Sequence, residues 1–166
     1  MQRPESMAAS EHRTPIVTRV VDVYPYRLDA DGQPTFLLLR RSPEVAYSGQ
    51  WRMVGGKMEP GETAWQAALR ELHEETSLTP QHFWALPSYN GFYEWQHDRV
   101  NLIPAFAAQV TADPVLDREH DAFAWYSVSE ARQALHWPEQ RRLLRLAAET
   151  LADGIPEALV IPIDER

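Results

Sequence analysis

Along its first third, the chain alternates between runs of β-branched or aromatic side chains and short polar breaks. Residues 16–27 (IVTRVVDVYPYR) form the first run and predict a strand. Asp29-Ala30-Asp31-Gly32 predicts a turn, and Thr35–Arg41 (TFLLLRR) a second strand. That second run is nearly continuous in leucine, the pattern of a buried strand. Residues 42–50, with Pro43 and Gly49, predict a loop, and Trp51–Val54 a short strand leading into Gly55-Gly56. A helix is predicted over about 62–76, with Pro80 just beyond its end. Six aromatic residues then crowd residues 83–96, and Gln96-His97-Asp98 predicts the turn that pairs this run with Val100–Val110 as a hairpin. Pro104 in the second arm predicts an edge or a bulge. Phe123–Ser127 predicts another strand, and Ser129 is placed to cap a helix over 129–136. Pro138 suits the first turn of a last helix running to Leu151, with Leu143, Leu146, Ala147 and Thr150 inward and Asp153-Gly154 at its end. Residues 155–163 are too apolar for a free tail and are expected to pack on the domain or on a second chain, as in a homodimer. Mixed strands, one central helix and C-terminal helices give an α+β class, with a sheet sandwiched by helices.

The central helix carries the chemistry. Its Glu74 and Glu75 fall within roughly 60° on either side of Glu71, because spacings of three and four residues share a helical face. Trp65, Ala68, Leu69 and Leu72 form an apolar stripe about 120° away. One side can pack on a core while the other faces a site. Pro60-Gly61 makes a turn, and Glu62-Thr63 suits a helix start. Three close carboxylates repel one another unless a cation sits among them, and an all-oxygen set suits Mg²⁺ or Mn²⁺.

Gly56, Glu62, Arg70, Glu71, Leu72, Glu74, Glu75 and Leu78 together resemble the Nudix box, G-x5-E-x7-R-E-U-x-E-E-x-G-U with U aliphatic. The one departure is Ser77, where the family has glycine. The resemblance implies an α/β/α sandwich around a mixed sheet. It also implies a metal-dependent hydrolase that splits a phosphoanhydride bond. Glu74 and Glu75 become the first metal ligands, with Glu71 beside them and the Gly56 carbonyl completing the shell. Arg70 would hold a neighbouring carboxylate in one orientation, and Glu62 would support the loop. Family members often recruit a carboxylate from outside the box. Here Glu119 is the candidate, as metal ligand or general base, with His120 beside it as a phosphate partner and Glu94 as the alternative carboxylate. The implied catalytic set is thus Arg70, Glu71, Glu74, Glu75 and Glu119. Arg41 and Lys57, with Arg40 and Arg52 nearby, are candidates to meet phosphates, and Tyr93 to stack on a purine or pterin ring. Phe92, Tyr93 and Trp95 are expected to divide between two strand faces, at least two of them in the core.

Trp125, Glu130 and Ala131, with the box and the Glu119-His120 pair, are similar to the dihydroneopterin triphosphate pyrophosphatase group. That likeness implies a nucleoside or pterin triphosphate as substrate. Dinucleoside polyphosphate hydrolysis is the alternative within the enzyme class. A nucleotide-sensing module without catalysis is a third reading, and the four intact box glutamates weigh against it.

Composition narrows the partners. A net charge of −8 excludes the basic footprint that non-specific nucleic-acid binding needs, so a small phosphorylated molecule is the expected partner. With no cysteine there is no disulfide framework and no thiolate ligand. No apolar run approaches the roughly 18 residues of a membrane helix, so no membrane partner is expected. Residues 1–14 are polar and lack a signal-type apolar core. They are expected to be a flexible tail before one domain over 15–166, in a cytoplasmic protein.

Overall fold

The N-terminal β-branched run breaks at Thr18-Arg19 into two strands, β1 (Ile16–Val17) and β2 (Val20–Leu28), in a computed structural model that describes residues 13–163. Most of the expected tail, residues 1–12, lies outside the described residues. Its end is anchored, because Thr14 Oγ1 donates to Asp98 Oδ1 at 3.0 Å. β2 organises the sheet. Along one edge it pairs in parallel with β7 (Arg99–Gln109). Along the other, its first half pairs antiparallel with β5 (Val54–Lys57) and its second half with β3 (Pro34–Arg41). β3 continues the sheet to β4 (Trp51–Arg52) and β8 (His120–Tyr126), and β7 to β6 (His82–Glu94) and β1. The result is an eight-stranded mixed sheet.

Both faces of that sheet are covered. Val21, Val23, Leu37 and Leu39 face α1 (Ala64–Thr76) through Ala67, Ala68 and Leu72. Tyr24, Tyr26, Phe36 and Leu38 face α2 (Val128–Ala134) and α3 (Pro138–Asp153) through Ala131, Leu143, Leu144 and Ala147. Two buried faces explain why Leu37-Leu38-Leu39 reads as a continuous apolar run. The architecture is therefore the expected α/β/α sandwich. Residues 155–163 take the first of their two expected places. Ile155 joins the α2/α3 core, Ile161 and Ile163 join the α1 core, and the Ile161 N–H donates to the Phe83 carbonyl at 2.9 Å.

Several local expectations need correction. The helix starts at Ala64, since Thr63 is its cap, so Glu62 stands outside it. Ser127, not Ser129, caps α2, because its Oγ accepts the Glu130 N–H while Glu130 returns to the Ser127 N–H. The bulge lies in β6, between Ala85 and Tyr89, and Pro104 of β7 sits opposite Tyr89 where pairing resumes. Phe92, Tyr93 and Trp95 are exposed, none in the core, and Trp95 lies in a 3-10 turn (Trp95–His97) beyond the strand. The hairpin tip has too few covering elements to bury them.

Ser77 follows α1 with φ +58° and ψ +15°, the left-handed conformation in which glycine avoids the Cβ clash. Ser77→Gly is expected to raise stability by up to about 1 kcal/mol, less whatever glycine adds to unfolded-state entropy. Chemical denaturation checks it, and a lower midpoint would contradict the argument.

Asp22 is a buried carboxyl near the start of β2. Burial pushes it up to about 6, partly offset by its bond from Asn90 and by the charge of Arg52. A carboxyl raised on folding stabilises most when protonated in both states. That stability is fully present below about pH 4 and is lost as the pH rises through about 6. The loss is of order 3 kcal/mol. The stability difference between Asp22→Asn and the wild type should therefore be flat below pH ~4 and grow in favour of the variant up to pH ~7, measured by urea titration.

Candidate active site

The start of α1 sets the site. Gln66 N–H donates to Thr63 Oγ1 at 3.3 Å, and Gln66 Oε1 accepts the Thr63 N–H at 2.9 Å, a reciprocal cap. Glu62, just outside, turns its carboxylate inward. It accepts the Glu59 N–H at 2.8 Å, Arg70 Nε at 2.6 Å and Arg70 Nη2 at 3.0 Å. The remaining Arg70 donors go to the Lys57 carbonyl (2.8 Å), Glu71 Oε1 (3.0 Å) and Glu74 Oε2 (3.2 Å). All five guanidinium N–H groups are occupied, binding the loop, β5 and α1 into one unit. The same bonds hold the Glu62 carboxyl below its usual range.

Gly56 has a steric reason to be glycine. A Cβ there would land on the Glu71 carboxylate, which lies against the Gly56 backbone. Glu71 is raised by burial, countered by Arg70, with Glu74 and Glu119 pushing it further up. Glu75 is only 5% exposed, and its Oε2 has no hydrogen-bond partner. Burial, then the charges of Glu71, Asp117 and Glu119, push its carboxyl up to about 9, against one bond from the Gly55 backbone. The fold therefore brings Glu71, Glu75 and Glu119 within each other's field, with Glu74 on the exposed side of the same helix.

An orphaned buried carboxylate oxygen among mutually repelling acids is what a hard divalent cation relieves, and every donor here is oxygen. The residues fit Mg²⁺ or Mn²⁺. Among the described residues no three acidic or histidine side chains already stand in a ligating group. Arg70 engages Glu71 and Glu74, and Arg41 engages Glu119.

The other expected site residues divide. Glu119 precedes β8 and is held beside β3, its carbonyl accepting the Ser42 N–H at 2.8 Å and its Oε2 pairing with Arg41 Nη1 at 3.1 Å. Arg41 also donates Nε to the Ala46 carbonyl, so its guanidinium already serves the protein. Lys57 is exposed at the end of β5. Tyr93 sits on the hairpin, its hydroxyl donating to Asp98 at 2.9 Å, and among the described residues no hydrogen bond or ion pair links it to the box. His120 is buried against Asp117, Nδ1 to Oδ1 2.8 Å, which removes it from contact with a substrate phosphate. Glu94 clasps its own hairpin through Arg99, Asn101 and His97, which hold its carboxyl down at about 2. Asp117 is a member of the acidic group that the sequence reading missed. Its three-residue spacing from His120 was the available signal.

The chain belongs to the Nudix family: the NUDIX domain model matches residues 18–147. It is 35% identical over 120 residues to an octanoyltransferase of Myxococcus xanthus, a match that covers 67% of this chain and only 31% of that protein. It is 30% identical over 125 residues to the CTP pyrophosphohydrolase of Escherichia coli K12, covering 69% of this chain and 82% of that one. With the asymmetrical bis(5'-nucleosyl)-tetraphosphatase of Caenorhabditis elegans it shares 29% identity over 140 residues, covering 82% and 99%. Among solved structures, a C. elegans Ap4A hydrolase binary complex superposes with a TM-score of 0.64 at 26% identity, covering 81% of this chain and 99% of that one. The E. coli dihydroneopterin triphosphate pyrophosphohydrolase superposes at 0.63 and 23% identity, covering 82% and 96%, a likeness of fold.

The adjacent glycines of β5 should respond differently to alanine. A Cβ at Gly55 would stand 2.7 Å from the Val21 carbonyl oxygen, which is backbone and cannot yield. At Gly56 the three nearest atoms all belong to the Glu71 carboxylate, the end of a side chain that can turn away at the cost of its bond to Arg70. Gly55→Ala is expected to cost at least about 1–3 kcal/mol of stability. Gly56→Ala is expected to melt near the wild type and lose most of its turnover. Paired thermal melts and rate assays distinguish the two, and equal melting losses would contradict the assignment.

Proposed function

We propose that the chain hydrolyses a phosphoanhydride bond in a nucleoside or pterin triphosphate, releasing pyrophosphate and a monophosphate. The observation that carries this reading is the orphaned, buried Glu75 oxygen in the field of Glu71 and Glu119, braced by Arg70. Water adds to phosphorus, the bridging P–O bond breaks, and its electron pair leaves on the departing phosphate oxygen. Glu119 is the residue we assign to take the water's proton. It is the half-exposed carboxylate of that trio, and Arg41 holds it in place. Glu71, Glu74, Glu75 and the Gly56 carbonyl would hold Mg²⁺ or Mn²⁺, which when bound offsets phosphate charge and lowers the pKa of water. Arg70 acts on the substrate only through the carboxylates it positions. Lys57, exposed beside Gly56, is free to meet a phosphate. Tyr93, on the hairpin, remains the proposed stacking residue.

The E. coli relative acting on CTP supports a triphosphate substrate. A second reading, dinucleoside polyphosphate hydrolysis, is favoured by the match to nearly the whole length of the C. elegans tetraphosphatase. A panel of nucleoside triphosphates, dihydroneopterin triphosphate and diadenosine tetraphosphate with each metal decides between them. Cleavage confined to the dinucleotide would overturn the first reading. In the same assay Glu75→Gln is expected to lower turnover at least ~100-fold, and Glu119→Gln to lower kcat more than it raises KM. Near wild-type turnover in either variant removes that residue from the mechanism.

A further inference from the structure

β8 carries a bulge of its own, next to Glu119. From Phe36 opposite Tyr126 to Arg40 opposite Ala122, its pairing with β3 is regular. Arg41 then stands opposite His120, so Asp121 is an extra residue with no partner across the ladder. The shifted register holds one step further, where the Ser42 N–H donates to the Glu119 carbonyl at 2.8 Å. Ser42 is buried, and its Oγ donates to the Arg118 carbonyl at 2.9 Å. Asp121 itself is gripped from β3. Arg40 donates Nε to its Oδ1 at 2.7 Å, and the same guanidinium stands 5.9 Å from the centre of the Trp51 ring. The box chemistry uses neither Arg40 nor Asp121.

The faces of β3 show what the bulge does. Leu38 packs toward α2 and α3 and Leu39 toward α1, so Arg40 belongs to the α2/α3 face and Arg41 to the α1 face. Residues directly opposite one another share a face. In an unbulged β8, Asp121 would stand opposite Arg41 and His120 opposite Ser42. Such a slip of one residue sends each side chain to the other face. His120 would then leave Asp117, and Arg41 would meet the carboxylate of Asp121. With the bulge, His120 stands on the α1 face, buried against Asp117, and Arg41 Nη1 is left for Glu119 Oε2 at 3.1 Å. Asp117 and Glu119 are the two charges of this segment that reach Glu75. We propose that Arg40 and Asp121 are positioning residues: by drawing Asp121 away from Arg41 their pair pins the bulge, and the bulge sets the register that presents Glu119 to the acidic group. The proposal rests on the hydrolase reading for the work Glu119 does, and on the strand geometry alone for the register.

The test pairs two measurements on the full chain. Amide hydrogen exchange at Ser42, followed by NMR, reads the register without turnover, and steady-state kinetics reads its consequence. Arg40 and Asp121 are 43% and 34% exposed, so their variants are expected to fold, which thermal melts check. Asp121→Ala should speed exchange of the Ser42 N–H at least roughly tenfold. It should lower kcat by roughly tenfold and leave KM within about twofold of the wild type, because Glu119 acts on the transition state. Arg40→Ala should do the same, and the double variant should be no worse than the weaker single, since both remove one contact. Asp121→Asn keeps an acceptor for Arg40 Nε and should recover most of both losses. Unchanged Ser42 exchange in Asp121→Ala, additive losses in the double variant, or faster exchange at wild-type kcat would overturn the proposal. Absence of hydrolysis by the wild type would overturn the hydrolase reading instead, and exchange at Ser42 would still decide the register.

Discussion

The Arg70 guanidinium is the fixed point of this site. Five N–H groups in one plane reach three carboxylates and a strand carbonyl, so their positions are set together. A lysine could carry the charge but not that geometry. The bidentate bond to Glu62 spans eight residues and closes the loop between β5 and α1. The bond to the Lys57 carbonyl then ties the helix to the strand that carries Gly55 and Gly56. Glu71 can lie against Gly56 only because Arg70 holds it from one side and no side chain stands on the other. The register of α1 on the sheet, fixed at its start by Thr63 and Gln66, is what delivers Glu75 into the buried position three residues past Leu72.

Burial decides how the acids differ. Glu74 and Glu75 are neighbours in sequence, yet Glu74 stays on the wet side of α1 while Glu75 faces the sheet with one unpartnered oxygen. Desolvation disfavours the charged form of the second, and the like charges of Glu71, Asp117 and Glu119 add to it. Glu94 shows the opposite limit. It is equally a carboxylate near arginine, but three donors satisfy it and its carboxyl falls to about 2. A satisfied carboxylate of this kind closes a hairpin, whereas an unsatisfied buried one keeps an oxygen available to a cation.

Local pattern carried much of this into the sequence. The helix over the box, its apolar stripe, the hairpin after it and the left-handed position of Ser77 all follow from short-range spacing and turn chemistry. The choice of Arg70 as a brace came from the resemblance to the box, since spacing alone would have left it a surface arginine. What the pattern could not carry was long-range. The parallel pairing of β1 and β2 with β7 joins segments some 80 residues apart, and nothing in either run specifies the partner. Asp22 reads as a polar interruption of a strand, and only the pairing of β5 and β7 on either side of it, with Asn90 of β6 bonded to it, makes it a buried acid. His120 suggested a phosphate partner until the Asp117 contact and the cover of neighbouring elements buried it. The aromatic run over 83–96 misled in the other direction. Phe83 and Trp84 are core, but past the bulge the strand rises out of the sheet's cover and Phe92, Tyr93 and Trp95 face solvent.

Asp22 and Glu75 lie on opposite faces of the sheet, each close to Gly55, and each is a carboxyl raised by burial. Raised acids make the unliganded fold less stable at neutral pH than its apolar core alone would allow. Both meet one short strand, β5: Asp22 lies where a Gly55 side chain would stand, and Glu75 takes its one bond from the Gly55 backbone. Whatever partners those oxygens with cations or N–H donors relieves the cost, and does so only in the folded state. Ligand binding at either face is then also a contribution to folding free energy, by the amount of its preference for the folded chain.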